Sequence, residues 1–309
     1  MRLIFMGTPP AAVPTLRRCL ADGHEVAAVW TQPDRPSGRG NKLTPPAVKE
    51  FALRHGLAVH QPAKLRNEEA LKLFASHGAD AAVVVAYGRI LPAPFLSAPP
   101  RGCLNVHFSL LPQYRGAAPV NWAIVRGETT TGVTTMRMDE GLDTGAILLQ
   151  RETPIGDAET AIDLMSRLSE MGARLLSETL ARLAEIEPRA QDEEKATFAP
   201  LLRREDGLID WALDATQVER RVRGFQPWPN AYTTYKSQRL VIWRASAGLP
   251  AGSESTAGQI VSASGDELVV ACGNATLLVV REVQPEGKRR MAVRDFINGA
   301  RLEVGEVLG

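Results

Sequence analysis

Two residues at the end of one apolar run invite chemistry. In the stretch from Gly102 to Pro119 (GCLNVHFSLLPQYRGAAP), Asn105 and His107 stand two apart. On a strand that spacing sends both side chains to one face. The carboxyl end of a parallel strand is where open α/β sheets bind their ligands. An Asn amide donates hydrogen bonds, and a His moves a proton near neutral pH. Together they suit a tetrahedral intermediate, with donors on the oxyanion while a proton transfers. The same spacing serves ordinary structural hydrogen bonding, and spacing alone does not choose. A second cluster, Asp139 to Gly145 (DEGLDTG), has three carboxylates and two glycines. It has three readings: a metal loop, although the EF-hand spacing and its terminal Glu are missing; a hairpin turn with solvated acids; or one carboxylate brought beside His107 to favour the imidazolium and relay protons. A third, Arg35, Arg39 and Lys42, lies among Gly, Pro and Ser. Arginines there suit phosphates and bases, or simply a solvated loop.

The elements around these residues alternate. Strands are predicted at Arg2 to Met6, Glu25 to Thr31, Ala81 to Ala86 and Leu104 to His107. The Ala81–Ala86 run is apolar on both faces, as in a strand covered by helices on both sides. Between them helices are expected from Ala11 to before Gly23, and from an N-cap at Asn67 to Gly78. Strand and helix in alternation argue for an α/β fold with a doubly wound, mostly parallel sheet. Further strands at Thr134 to Met138 and Ala146 to Gln150 flank the acidic loop. An amphipathic helix follows, with Leu164, Leu168, Met171, Leu175 and Leu183 on one face, ending before Pro188.

Composition bounds the rest. The chain has 309 residues, 36 Lys and Arg against 35 Asp and Glu. This length suits two domains. We divide it into residues 1–187, a charged linker at 188–206, and residues 207–309. The last part has an N-cap at Asp214 with Gln217 in the capping-box position. Short β runs follow at Tyr232 to Tyr235, Leu240 to Trp243, Leu268 to Ala271 and Leu277 to Val280, spaced as in a small barrel or sandwich. The balanced charge excludes a bulk basic field for nucleic acid, so any RNA contact is local. Residues 206–309 carry 12 basic and 12 acidic side chains, with basic clusters at Arg220, Arg221, Arg223 and at Lys288 to Arg290. Cys19, Cys103 and Cys272 lie far apart without CxxC spacing, which reads as free thiols in a reducing cytoplasm. No metal, no membrane and a monomer are expected.

A set of motifs in register resembles the 10-formyltetrahydrofolate-dependent formyltransferases. They are Phe5 to Pro9 (FMGTP), Thr31 to Gly40 (TQPDRPSGRG), Val85 to Gly88 (VAYG), Asn105 to His107 (NVH), Ser109 to Pro112 (SLLP), Tyr114 to Pro119 (YRGAAP), Gly141 to Gly145 (GLDTG), Ile209 to Trp211 (IDW) and Phe225 to Pro229 (FQPWP). They span nearly the whole chain in the family's order. The resemblance implies a Rossmann-like catalytic domain followed by a small OB-like β-barrel. It implies transfer of the formyl group of 10-formyltetrahydrofolate to the free amino group of methionyl initiator tRNA, for translation initiation. By resemblance Asn105, His107 and Asp143 are catalytic. Ser109, Leu110, Leu111 and Pro112 line the folate site, and Tyr87, Gly88, Asp139 and Gly141 belong to the walls of its pterin pocket. Arg35, Arg39 and Lys42 sit on the loop that meets the acceptor stem. Phe108 replaces the small residue common in relatives, and Pro10 and Ala11 replace the usual acid and Phe.

Four rivals remain. One is a formyltransferase for a small amine such as a sugar nucleotide or glycinamide ribonucleotide. Another is a hydrolase that releases formate. The third is a nucleic-acid-binding protein with an inert α/β domain. The fourth, a nicotinamide-linked dehydrogenase, is weak because Gly7-Thr8-Pro9-Pro10 is not GxGxxG.

Overall fold

The computed structural model describes residues 1–37, 42–248 and 255–309. They form two compact units. The first comprises Met1–Pro119, Thr130–Pro154 and Met165–Pro200; the second comprises Val120–Thr129, Ile155–Leu164 and Leu201–Gly309.

In the first unit the chain runs through β1 (Arg2–Gly7), α1 (Val13–Ala21), β2 (Glu25–Trp30), β3 (Arg35–Ser37), β4 (Lys42–Thr44), α2 (Ala47–Arg54), β5 (Val59–His60), α3 (Glu68–Ser76), β6 (Ala81–Val85), α4 (Ala93–Ser97), β7 (Cys103–His107) and β8 (Arg115–Gly116). Along the chain follow helix α5 (Pro119–Arg126), which from Val120 on belongs to the second unit, strands β9 (Thr130–Arg137) and β10 (Ile147–Pro154), helix α6 (Ala161–Ala181), which belongs to the first unit from Met165 on, and β11 (Phe198–Ala199). Seven strands make one sheet in the order β10-β9-β7-β6-β1-β2-β5. From β7 to β5 the pairings are parallel, whereas β9 runs antiparallel to β7 and β10 antiparallel to β9. This is the doubly wound, mostly parallel sheet expected from the alternation. All five residues of β6 are buried, because helices cover both faces. On one face Trp30 meets Phe74 and Phe95 edge-on at 5.2 and 6.1 Å, a geometry that adds roughly 0.5–1.5 kcal/mol per pair beyond burial.

Local signals explain the boundaries. The Asn67 side chain accepts from the Ala70 amide at 2.7 Å and starts α3. Pro10 and Ala11 form a single 3-10 turn, Pro10–Ala12, ahead of α1. Phe108 is buried, with its ring against Gly172 of α6, so a larger side chain is accommodated by a glycine opposite it. The segment expected as a surface linker is fastened at its start to the first unit. Arg189 pairs with Ile147, and β11 pairs in parallel with β8.

The second unit carries α7 (Ala215–Gly224), β12 (Tyr232–Tyr235), β13 (Gln238–Ala247), β14 (Ile260–Ser264), β15 (Glu267–Cys272), β16 (Thr276–Pro285), β17 (Met291–Ala292) and α8 (Val293–Ala300). Asp214 and Gln217 form the reciprocal capping box at the start of α7. The strands make one antiparallel sheet, β12-β13-β16-β15-β14, with β17 added beside β16. Val218 and Val222 of α7 and Phe296 of α8 share a core with Ile242, Val270, Val280 and Val283 of the sheet.

Candidate functional site

The end of β7 delivers Asn105 and His107 to one face, as the spacing predicts. Both are buried, 8% and 5% exposed. The acidic loop returns between β9 and β10 and brings Asp143 to them. Its Oδ1 lies 3.5 Å from Asn105 Nδ2, and its Oδ2 lies 3.7 Å from His107 Nδ1. Of the three readings of that loop, the third describes the geometry: one carboxylate stands beside the imidazole. Among the described residues no group of His, Cys, Asp and Glu has the arrangement of a metal site.

The surroundings fix each group. His107 Nε2 lies 2.9 Å from the Tyr114 carbonyl, which can only accept, so Nε2 carries a hydrogen. Nδ1 is therefore the ring nitrogen left to face Asp143. Asp143 Oδ2 accepts from the Gly116 amide at 2.8 Å. Tyr114 and Asp143, the two residues that flank the imidazole, both have left-handed backbones, with φ of 60° and 54°. Such conformations cost a residue with a side chain roughly 1–3 kcal/mol and mark sites held by their surroundings. Gly116 has φ of 119°, and a Cβ there would sit 2.6 Å from the Ala199 carbonyl of β11. Only glycine combines that conformation with so close an approach. Arg115 beside it is 2% exposed, and its hydrogen bonds to Glu193 raise its already high pKa. Gln191 Nε2 donates to the carbonyls of Asp143 and Gly145 at 2.7 and 2.8 Å. Neither Arg115 nor Gln191 stood out as a functional residue in the sequence. The signal for Arg115 was its place in the YRGAAP motif; Gln191 had none.

A match to the formyl transferase family model covers residues 1–180, and one to the formyl transferase C-terminal domain covers residues 201–301. The methionyl-tRNA formyltransferase of Citrifermentans bemidjiense is 49% identical over 311 aligned residues, covering 100% of this chain and 96% of that protein. That of Bacillus subtilis is 46% identical, covering 100% and 98%. The chain belongs to the methionyl-tRNA formyltransferase family. Among solved structures it is similar in fold to an N-formyltransferase of Helicobacter canadensis in complex with folinic acid and dTDP-3-aminofucose. That likeness has a TM-score of 0.65 at 16% identity, over 92% of this chain and 98% of the other. HypX of Aquifex aeolicus in complex with tetrahydrofolic acid aligns with a TM-score of 0.63 at 17% identity, over 99% of this chain and 48% of the other. The dehydrogenase and inert-domain readings end here.

The remaining residues expected from the formyltransferase motifs divide into three groups. Ser109 and Leu111 are buried within their own loop. Ser109 Oγ donates to the Gln113 carbonyl at 2.6 Å, and Leu111 packs with Met136 and Ile147. Thr134 ties the run down, donating to the Ser109 carbonyl and accepting from the Leu111 amide. Leu110 and Pro112 belong to the same anchored turn. Tyr87 is 2% exposed, its hydroxyl has no partner among the described residues, and burial pushes its pKa up to about 12. The phenol therefore stays protonated. Gln32 Nε2 donates to the carbonyls of Tyr87 and Gly88. Asp139 accepts from the Gly141 amide and the Thr144 hydroxyl, which shapes the acidic loop.

A groove of 540 Å³ is lined among others by Leu65, Arg66, Ile90, Leu91 and Phe95 and, from the acidic loop, by Glu140, while Tyr87, Gly88 and the Ser109–Pro112 turn are not in its lining. Ile90, 76% exposed, is a large apolar side chain left on the surface there. Sequence reading missed this wall, because nothing in its composition separates it from an ordinary helix start. Of the basic loop, Arg35 pairs across the β3–β4 hairpin with Thr44 and donates to Gln32 at 3.4 Å. Lys42 is opposite Ser37 in that hairpin, and Arg39 lies outside the described residues. The three cysteines are free and buried, and burial pushes each thiol up to about 12. Among the described residues no helix is long and apolar enough to cross a membrane.

Proposed function

We propose that this chain formylates methionyl initiator tRNA from 10-formyltetrahydrofolate, with Asn105, His107 and Asp143 as the reacting-centre residues. The product, N-formylmethionyl-tRNA, serves translation initiation. One observation carries the chemistry: an amide donor, the Nδ1 edge of a buried imidazole and a carboxylate stand together at a strand end. The neutral methionine amine attacks the formyl carbon, and a C–N bond forms as the carbonyl becomes an oxyanion. Asn105 Nδ2 and a hydrogen on His107 Nδ1 donate to that oxygen, while Nε2 stays engaged with Tyr114. Asp143, directly or through one water, takes the proton that the amine loses and passes it to N10 as the C–N10 bond breaks. No covalent intermediate is required, because the nearest thiol, Cys103, is buried and protonated.

The folate is held, as the motifs imply, by the Ser109–Pro112 turn, Tyr87, Gly88 and the Asp139–Gly141 turn. The groove that Glu140 of that turn lines together with Leu65, Ile90, Leu91 and Phe95 has apolar walls that suit a pterin and its aromatic linker. Arg35, Arg39 and Lys42 take the acceptor stem, with affinity from local phosphate contacts rather than bulk charge. The enzyme acts in the cytoplasm as a monomer, in two domains joined through residues 188–206.

The test is one incubation with formyl-tetrahydrofolate and three acceptors: charged initiator tRNA, charged elongator methionyl-tRNA, or none. Formyl is expected on the initiator methionine. Formate released without acceptor would overturn the reading. His107→Ala is expected to slow single-turnover transfer about 10²–10⁴-fold while 5-formyltetrahydrofolate still binds. Arg39→Ala is expected to weaken tRNA use more than folate binding.

A further inference from the structure

We infer that Gln191 is a positioning residue for Asp143, clamped by Arg115 and Glu193. This rests on the reading of Asp143 as the carboxylate of the reacting centre. Asp143 has a problem to solve: its backbone is left-handed without glycine's freedom, in a loop that also carries two glycines. A side chain held in that way needs bonds that make the conformation the lowest available.

Gln191 supplies them. It comes from a segment 48 positions further along, with no motif of its own, and its amide nitrogen spans the carbonyls of Asp143 and Gly145. The same amide's oxygen accepts from Arg115 Nε at 3.0 Å and Nη2 at 2.8 Å. That contact fixes which end of the amide faces the loop. Arg115 spends its remaining fork on Glu193, Nη1 to Oε2 and Nη2 to Oε1, both at 2.7 Å. A buried arginine needs such a complete set of acceptors. The residue after it, Gly116, then grips the carboxylate itself through its amide. Asp143 is thus held at both ends by one clamp: its backbone through Gln191, its Oδ2 through Gly116. The β8–β11 ladder closes the clamp by pairing Arg115 with Phe198 and Gly116 with Ala199. None of Gln191, Arg115 and Glu193 is bonded to Asn105 or His107, so their effect on the reaction runs through Asp143.

A double-mutant cycle tests this in the full-length enzyme, with single-turnover transfer to charged initiator tRNA as the readout. Gln191→Glu keeps the size of the side chain and the acceptor for Arg115 but removes both donors. It is expected to slow transfer about tenfold or more, with 5-formyltetrahydrofolate binding within about threefold. In an Asp143→Ala background the same change is expected to do nothing beyond about twofold, because coupled residues are not additive. Glu193 is two-thirds exposed, so Glu193→Gln does not threaten folding, and its cycle decides if Gln191→Glu fails to fold. It is expected to slow transfer about two- to fivefold, again only when Asp143 is present. Equal losses in both backgrounds, or no loss in either variant, would overturn the clamp. An Asp143→Ala enzyme at full rate would overturn the site assignment and the clamp together. A slow Asp143→Ala enzyme with additive losses would overturn the clamp alone.

Discussion

Two regions of this molecule match arginines to carboxylates, and they do so to different ends. Around β8, Arg115 is 2% exposed, and its guanidinium holds Glu193 and also Gln191, which bonds the loop that carries Asp143. On the sheet of the second unit, Arg244 and Arg290 pair with Glu282, Arg281 with Glu267 and Arg294 with Asp266, with the arginine side chains 36–65% exposed. In the first set the guanidinium is buried, although Glu193 at its outer end is two-thirds exposed, so its bonds fix geometry and an arginine left without acceptors is costly. The second is wet, so each pair is screened and exchanges easily with solvent or with a phosphate. The difference teaches that basic runs in this sequence are not a guide to where charge does chemical work. Lys288 to Arg290 looks like a polyanion patch in one dimension, yet Arg290 lies against Glu282 and over the ring of Trp243.

The comparison breaks first at Gly116. Gly116→Ala puts a methyl against the Ala199 carbonyl at a backbone angle that only glycine takes easily. We expect a loss of about 2–4 kcal/mol in stability, or near-complete loss of transfer in whatever folds. Chemical denaturation and single-turnover kinetics check this, and a wild-type result would show that the β8–β11 approach is loose.

A second test uses pH, away from the site. His60 and His77 lie 5.0 Å apart between ring centres, next to Trp30, with both Nε2 atoms buried and without a hydrogen bond among the described residues. Burial lowers both pKa values, and for His77 the neighbouring His60 and Arg2 add to it. The unfolded chain therefore takes up protons first as pH falls. Stability is full above the ordinary histidine value of about 6.5 and declines below it. Thermal midpoints at pH 7.5, 6.5 and 5.5 should fall in that order, and His77→Gln should flatten the fall. A midpoint that rises toward acid would contradict the sign.

The smallest effect belongs to the wet region. Arg294→Ala should change stability by less than about 1 kcal/mol, and less still in high salt. A larger loss would mean that this surface is as tightly coupled as the surroundings of Arg115.

Much of this was legible. The alternation of strands and helices gave the sheet, and the N-caps at Asn67 and Asp214 gave helix starts to the residue, because capping is local. Asn105 and His107 were legible as a pair, because a strand's period is two. The short elements were not: β8, β11 and the β3–β4 hairpin are two or three residues each, too brief for periodicity to register. The charged stretch after Pro188 reads as linker because its bonds are to partners far away in sequence.

The sequence by itself determined the family, the parallel sheet and the two side chains at the end of β7, since each is written in contiguous or regularly spaced residues. The tertiary structure decided how these groups meet. It set the distances from Asp143, the carboxylate that the motif resemblance singles out, to Asn105 and His107, and it turned His107 Nε2 to the Tyr114 carbonyl. It also brought Gln191 to hold the loop. The contacts of Asp143 and Gln191 depend on distances between segments tens of residues apart, and no local preference encodes those.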